Sequence, residues 1–412
     1  MLLKQLLLLP CALRTAIAYT TLTDSTLESL ALDSNDFSIS NKDGLLAPIL
    51  IPRVPGTEGI AKVQQHFADF FRNELPKWKF TFQNSTSTTP LSHGKEVPFR
   101  NIIITRDPPW IANEGDVSRL VLVAHYDSKI DPPGFIGAID SAVPCAALMH
   151  TARAIDAALT AKWAAMESEG IGSGGFDGVE EHKGVQILLL DGEEAFVNWQ
   201  GTDNTYGARS LAEEWDSTVN PALSTFRTPL ESMELFVLLD LLGSKDHQEV
   251  PSYFKMTHWA YQRIVQVEGR LRGAGRLKAK RDQPLFYESD KKETDQWNGG
   301  QVGDDHEPFM ARGVEILHVI PGRFPDVWHT MNDDAEHLDM DTVEDWAMIT
   351  TAFTAEYMDL EGFMQVGAPP KKVAQPRDEL LCCSSDFLQA ESSALITYVV
   401  AVEVTAFQTP NM

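Results

Sequence analysis

The sequence predicts an α/β fold: a single three-layer α/β/α domain around a central mixed, largely parallel twisted sheet. Three observations carry this expectation. Strand-like runs alternate with helical patterns, the order that produces βαβ units. Several strand runs are continuously apolar instead of alternating, as expected where both sheet faces are covered. With 412 residues and 43% hydrophobic content, the chain can bury a core of that size.

The elements follow in order. Residues 1–18 read as an export signal: Lys4 is basic, an apolar run covers 6–13, and Ala16-Ile-Ala18 is a small-x-small cleavage site that would leave Tyr19 first. The run is too short for a membrane span. A turn-rich segment at 49–57 leads into a helix near 59–75. Strands are expected at 79–82, 101–105, 120–124, 185–190, 235–239 and 316–320, with helices at 141–159, 258–271 and 342–358. The Gly-, Ser- and acid-rich stretch 167–184 and the charged stretch 278–303 read as loops on this frame. The catalytic domain is expected to span 19–366, and a composition shift at Pro369-Pro-Lys-Lys372 opens a flexible tail over 367–412. Its apolar stretch 395–406 is interrupted by Glu403 and is too short to cross a bilayer.

A net charge of -25 argues against nucleic acid or an anionic membrane as partner and suits a secreted enzyme. Cys11 leaves with the signal, and Cys145, Cys382 and Cys383 form no readable disulfide framework. Asn84-Ser-Thr86 is a glycosylation sequon. Oligomeric state is not written in the sequence, and a monomer is the default expectation.

The most informative stretch is Leu188-Leu-Leu-Asp-Gly-Glu-Glu-Ala-Phe196. Three leucines run into a turn that presents Glu193 and Glu194 just past a buried strand. Adjacent carboxylates repel, and a bound cation divides their labour: one ligates it while the other works as a base beside it. A solvated pair in an acidic protein is the plainer alternative. Further ionisable residues fall at strand ends, where open α/β sheets gather their active groups: His125 and Asp127 after one strand, Asp140 at the mouth of a helix, Asp240 after another strand, then His318 and His329. Each has a bland reading. Asp140 could be an N-cap, His125 a hydrogen-bonded core histidine, Asp240 a loop cap and Trp328 simple core. Their joint placement favours a site. Asp140, Glu194 and His329 would supply two hard oxygens and one imidazole, a set suited to catalytic Zn²⁺ with an open fourth position.

At these residues the chain resembles the glutaminyl-peptide cyclotransferases, which share their fold with zinc aminopeptidases of the M28 type. The resemblance covers about 49–364 and rests on Ile51-Pro-Arg-Val-Pro-Gly56, His125-Tyr-Asp-Ser-Lys129, Asp140-Ser-Ala-Val-Pro-Cys145, Asp191-Gly-Glu-Glu-Ala-Phe196, Leu238-Leu-Asp-Leu-Leu-Gly243, Asp304-Asp-His306 with Pro308-Phe309, and Phe324-Pro-Asp-Val-Trp-His-Thr330. It implies one zinc held by Asp140, Glu194 and His329, and Glu193 as general acid/base. It further implies that Asp240 and Asp304 hydrogen-bond around the reacting groups, and that Trp199, His318 and Trp328 line the substrate site. The implied reaction converts N-terminal glutamine of a peptide, and more slowly glutamate, to pyroglutamate. Ala124 stands where many secreted animal members carry a cysteine that pairs with the equivalent of Cys145, so that disulfide is absent here.

Two other readings compete. A two-zinc aminopeptidase of the same fold would use His125 and Asp240 for a second metal. A peptide-recognition domain without catalysis would use the same scaffold, although retention of every ligand candidate and of Glu193 argues against it.

Overall fold

The computed structural model describes residues 20–171 and 182–364. The signal at 1–18, the tail at 367–412, Gly172 to Gly175, and Cys11, Cys382 and Cys383 lie outside the described residues. Helices are α1 (Asp24–Ser29), α2 (Glu58–Glu74), α3 (Val143–Ser168), α4 (Tyr206–Ser217), α5 (His258–Gly273), the single-turn α6 (Glu307–Met310) and α7 (Met340–Tyr357). Strands are β1 (Lys79–Thr88), β2 (Glu96–Arg106), β3 (Ser118–His125), β4 (Lys183–Leu190), β5 (Met233–Leu239) and β6 (Ile316–Val319).

The six strands form one open sheet in the order β1-β2-β4-β3-β5-β6. The β4–β3, β3–β5 and β5–β6 pairings are parallel, whereas β1–β2 and β2–β4 are antiparallel. The mixed, largely parallel sheet expected from the apolar runs is therefore present. Its four parallel strands are also the ones buried along almost their whole length.

Alternation along these strands builds the three layers. Leu120, Leu122, Ala124, Ile187, Leu189 and Val237 point to one face, where the core continues into α2, α3, α5 and α7. Val121, Val123, Leu188, Leu190, Phe236 and Leu238 point to the other, against α4 and Phe309 of α6. Helix α2 shows how sequence sets packing. Ile60, Val63, Phe67 and Phe71 recur at helical spacing and are all buried. The helix stops before Pro76, whose ring disfavours α conformation in the residue before it.

Three differences from expectation have local causes. The polar run Gln83-Asn-Ser-Thr-Ser-Thr88 lies beyond the strand expected at 79–82, yet it extends β1 because β2 offers a complete antiparallel ladder through Thr88↔Glu96. Helix α3 starts at Val143 and continues to Ser168, because its alanine-rich length packs between the sheet and α7. Helix α4 has no counterpart in the sequence reading: its buried stripe is only Ala208, Leu211 and Ala212 beside its N-terminal Tyr206-Gly207, too thin to show. Among the described residues, no helix is long and apolar enough to cross a membrane.

Candidate active site

Because β3, β4, β5 and β6 run parallel, their carboxyl ends open on one edge of the sheet. His125 ends β3, Asp191 to Glu194 follow β4, and Asp240 follows β5. Asp140 reaches the same edge from the connection between β3 and α3. Gly137 makes that turn possible: its φ is +51°, and an added Cβ would stand 2.1 Å from the Asp140 carbonyl oxygen. Asp140 is not a helix cap, since α3 begins after Ala142 without a side-chain cap.

Asp140, Glu194 and His329 meet. His329 Nε2 lies 3.4 Å from Asp140 Oδ2 and 3.6 Å from Glu194 Oε2. One donor atom from each of the three falls within 4.8 Å of the others. Asp140 Oδ2 and Glu194 Oε1 are buried without a hydrogen-bond partner. Buried carboxylate oxygens are costly in that state, so this set fits a bound cation. His329 adopts φ +55°, a left-handed conformation that a non-glycine residue keeps only where its surroundings enforce it. Trp328 stacks on its ring at 3.8 Å between centroids.

Glu193 stands beside this trio, and its Oε1 accepts a 3.0 Å hydrogen bond from Trp199 Nε1. The turn carrying both glutamates is clamped by Asp127, whose Oδ1 and Oδ2 accept the backbone N–H groups of Glu193 and Glu194 at 3.1 and 3.2 Å. Burial, reinforced by Glu194, Asp304 and Asp305, pushes the Glu193 carboxyl well above the usual carboxylate range. Burial and Asp140 do the same to Glu194, against the opposing pull of Lys129 and His125. Burial also disfavours charge at Asp140, but the hydrogen bond with His125 and the nearby His329 ring hold its carboxyl low. So many crowded carboxyls form a field that a cation would relieve.

His125 is fully buried among three carboxylates. Its Nε2 lies 3.0 Å from Asp140 Oδ1 and 3.4 Å from Asp240 Oδ1, and its Nδ1 3.4 Å from Asp127 Oδ1. Burial opposes charge there, but these partners raise its pKa well above the ordinary histidine value. Asp240 Oδ1 also accepts Ser141 Oγ–H and the Leu241 N–H. Burial lifts the Asp240 carboxyl to about 6. Asp304 and His318 form a separate pair, with Nε2 to Oδ2 at 2.7 Å. Burial drops His318 to about 4, which leaves its ring neutral.

Asp140, Glu194 and His329 thus come together, with Glu193 next in the same turn, Trp199 bonded to Glu193, Trp328 stacked on His329, and Asp127 and Asp240 joined through His125, whereas Asp304 and His318 pair with each other. Sequence reasoning missed several supports. Arg53, completely buried, donates to the carbonyls of Ile49, Ile51, Tyr126, Asp127, Ile136 and Gly137, tying the β3 end to the Asp140 turn. Asp333 ties the His329 loop to that same turn: its carbonyl accepts Ala138 N–H and its Oδ1 accepts Ile139 N–H at 2.7 Å. Asp203 accepts the N–H groups of Phe196, Val197 and Asn198 and so shapes the loop that delivers Trp199. Arg53 carried one signal, its place in the Ile51–Gly56 block. Asp203 and Asp333 carried none. Cys145 is a free buried thiol.

An open α/β sheet with an acidic and histidine cluster at its parallel strand ends defines the class, and residues 110–354 match peptidase family M28. The chain is 36% identical over 321 residues to the glutaminyl-peptide cyclotransferase of Gloydius blomhoffii, covering 76% of this chain and 80% of that one. It is 35% identical over 319 residues to that of Bos taurus, covering 76% and 81%. The crystal structure of Macrostomum lignano glutaminyl cyclase matches with a TM-score of 0.64 at 29% identity, over 83% of this chain and 97% of that chain. The chain therefore belongs to peptidase family M28 and, within it, to the glutaminyl-peptide cyclotransferases.

Proposed function

We propose that this chain converts the N-terminal glutamine of peptides and proteins to pyroglutamate with release of ammonia, and N-terminal glutamate more slowly. The observation that carries the reading is a buried Glu193 beside a donor trio with two unpartnered carboxylate oxygens. Asp140, Glu194 and His329 would hold one zinc ion per chain. Bound there, zinc would supply Lewis-acid polarisation of the substrate γ-carboxamide.

The protein's own groups perform the rest. Glu193 takes a proton from the α-amine as its nitrogen bonds to the side-chain amide carbon, Cδ, then returns that proton to the ammonia departing from the same carbon. Its raised pKa suits both halves of that transfer, and the Trp199 indole fixes its orientation. Trp328, held against His329, walls the site and offers its indole N–H to the side-chain carbonyl. Asp240 and Asp304 hydrogen-bond around the amine and the leaving group, and His318 fixes Asp304. Ring closure is intramolecular within the glutamine itself, so no water nucleophile is required, and the site contributes by holding amine and amide in the orientation for attack.

A two-zinc aminopeptidase is the second reading, because His125, Asp140 and Asp240 also bring donors within 4.8 Å of one another. The hydrogen bonds within that group favour a single metal: His125 Nε2 already engages Asp140, and Asp240 Oδ1 already serves Ser141 and Leu241. The proposal extends to residues 19–366 as a monomeric catalytic domain, secreted after cleavage following Ala18. Asn84, exposed on β1, is its candidate glycosylation site.

The test is a glutaminyl-peptide assay reading ammonia and pyroglutamyl product, with and without a chelator. Ammonia release that chelation stops and zinc restores is expected. A metal-replete protein that releases none would end the proposal, and two tightly held zinc ions per chain would favour the peptidase.

A further inference from the structure

Asp304 and His318 belong to a second group of donors, whose third member, His306, the proposed reaction does not use. His306 is fully buried, and neither ring nitrogen has a hydrogen-bond partner. A neutral imidazole carries one N–H and one lone pair, so a buried ring with both idle is unusual. Its ring centroid lies 4.5 Å from that of His318, whose Nδ1 is likewise buried and unpartnered. Asp304, His306 and His318 each offer a donor atom within 4.8 Å of the others, and each is buried. The next residue, Asp305, is also buried with both carboxylate oxygens unpartnered, adding negative potential.

We propose that Asp304, His306 and His318 form a second transition-metal site, distinct from the Asp140–Glu194–His329 trio, whose occupation inhibits the enzyme. One carboxylate and two imidazoles make a set suited to Zn²⁺, Ni²⁺ or Cu²⁺ and poor for Mg²⁺ or Ca²⁺. Tetrahedral zinc with bonds near 2.05 Å places its ligand atoms about 3.3 Å apart, so donors within 4.8 Å need only small side-chain movements. Metal ligation requires unprotonated imidazole. Both His306 ring nitrogens and His318 Nδ1 are buried without partners, which leaves positions for it. A metal there would draw Asp304 and His318 away from substrate.

The inhibitory half rests on the cyclase reading; the binding half does not. The two are therefore measured separately, on the full chain already holding its first equivalent of zinc. Further Zn²⁺ is added, bound metal is counted by equilibrium dialysis with elemental analysis, and ammonia release is followed in parallel. A second equivalent should bind, and the rate should fall as it loads. His306→Leu, which fills the space beside Phe254 and His318 without a donor, should keep the first equivalent. It should lose the second, moving inhibition to about tenfold higher zinc or more. If that variant loses both equivalents through misfolding, His306→Gln serves in its place. Asp246→Asn, which breaks the surface group Asp246, His247 and Asp326, should change nothing. The proposal is overturned if wild type holds one equivalent under large zinc excess, if His306 variants keep the second, or if Asp246→Asn abolishes it. A bound second equivalent in a protein that releases no ammonia would sink the cyclase reading and leave this site standing.

Discussion

The Trp199 indole donates its N–H to Glu193 Oε1 at 3.0 Å, so the candidate acid/base is held from the side by an aromatic ring. Glu193→Gln preserves size and the hydrogen bond from Trp199 but cannot shuttle a proton. We expect kcat to fall by about 10²- to 10⁴-fold with zinc content unchanged, because only general acid–base catalysis is removed. A fully active variant would show that the base lies elsewhere. Trp199→Phe keeps the ring and deletes the donor. A hydrogen bond to a charged group is worth roughly 1.5–3 kcal/mol, which corresponds to a loss of roughly 10- to 100-fold.

Asp127 acts one step further out. Both of its oxygens accept N–H groups from the Glu193–Glu194 turn, so Asp127→Asn would set an amide N–H₂ against one of those donors. Supporting partners of this kind change metal affinity or activity by about 10- to 100-fold when lost. We expect lower kcat and weaker zinc retention together, measured by steady-state kinetics and by metal content after dialysis. Loss of one without the other would mean the clamp serves only one glutamate.

The contrast between Glu194 and Asp127 shows what the sequence made legible. Glu194 stands out because a leucine run ends in two adjacent carboxylates, a local conflict that any reader of the chain can see. Asp127 also follows a strand, yet its partners lie 66 and 67 residues away, and that pairing exists only once β3 and β4 are side by side. The buried parallel strands were readable because both of their faces are covered, which leaves unbroken apolar runs. Polar β1 was readable only in its first half, because its remainder is specified by its neighbour's hydrogen bonds and not by its own side chains. Helix α4 stayed hidden for the opposite reason: beyond its first turn it touches the core through only Ala208, Leu211 and Ala212.

His329, a proposed metal ligand, holds a left-handed backbone conformation. His329→Ala removes the only nitrogen donor of the Asp140–Glu194–His329 trio and should let zinc escape during dialysis against a mild chelator, with affinity down by about 10- to 100-fold or more. Asp140 and Glu194 would then face each other with less compensation, so residual activity should require millimolar zinc. Undiminished zinc content in the variant would contradict its role as a ligand.

Among the described residues, the buried Arg53 guanidinium donates its hydrogen bonds to backbone carbonyls. Arg53→Met would leave those carbonyls without donors in the interior. Leaving a buried acceptor without its donor typically costs about 1–3 kcal/mol. The loss should appear as a lower urea midpoint and, because Gly137 precedes Asp140, as weaker zinc retention in whatever protein remains folded. A variant of unchanged stability would mean that water replaces the guanidinium there.

Far from the site, Asp36 offers a test of electrostatics in the frame alone. Its Oδ2 lies 3.1 Å from His150 Nδ1 and accepts a hydrogen bond from Arg153 Nη2. Burial works against its charge, yet these two partners hold the carboxyl below its usual range. A carboxyl whose folded pKa is depressed contributes stability that is fully present above its unfolded value, near 3.9, and lost as pH falls through the folded value. Asp36→Asn should therefore destabilise the metal-free protein by about 2 kcal/mol at pH 7, within the range for a hydrogen bond to a charged group. That difference should hold between about pH 8 and 5 and shrink below about pH 4, where wild type must protonate Asp36 as well. Urea unfolding across that range, with a chelator present to remove metal linkage, reads both curves. A gap that stays constant down to pH 3 would show that the Asp36 contacts stabilise through packing and not through charge.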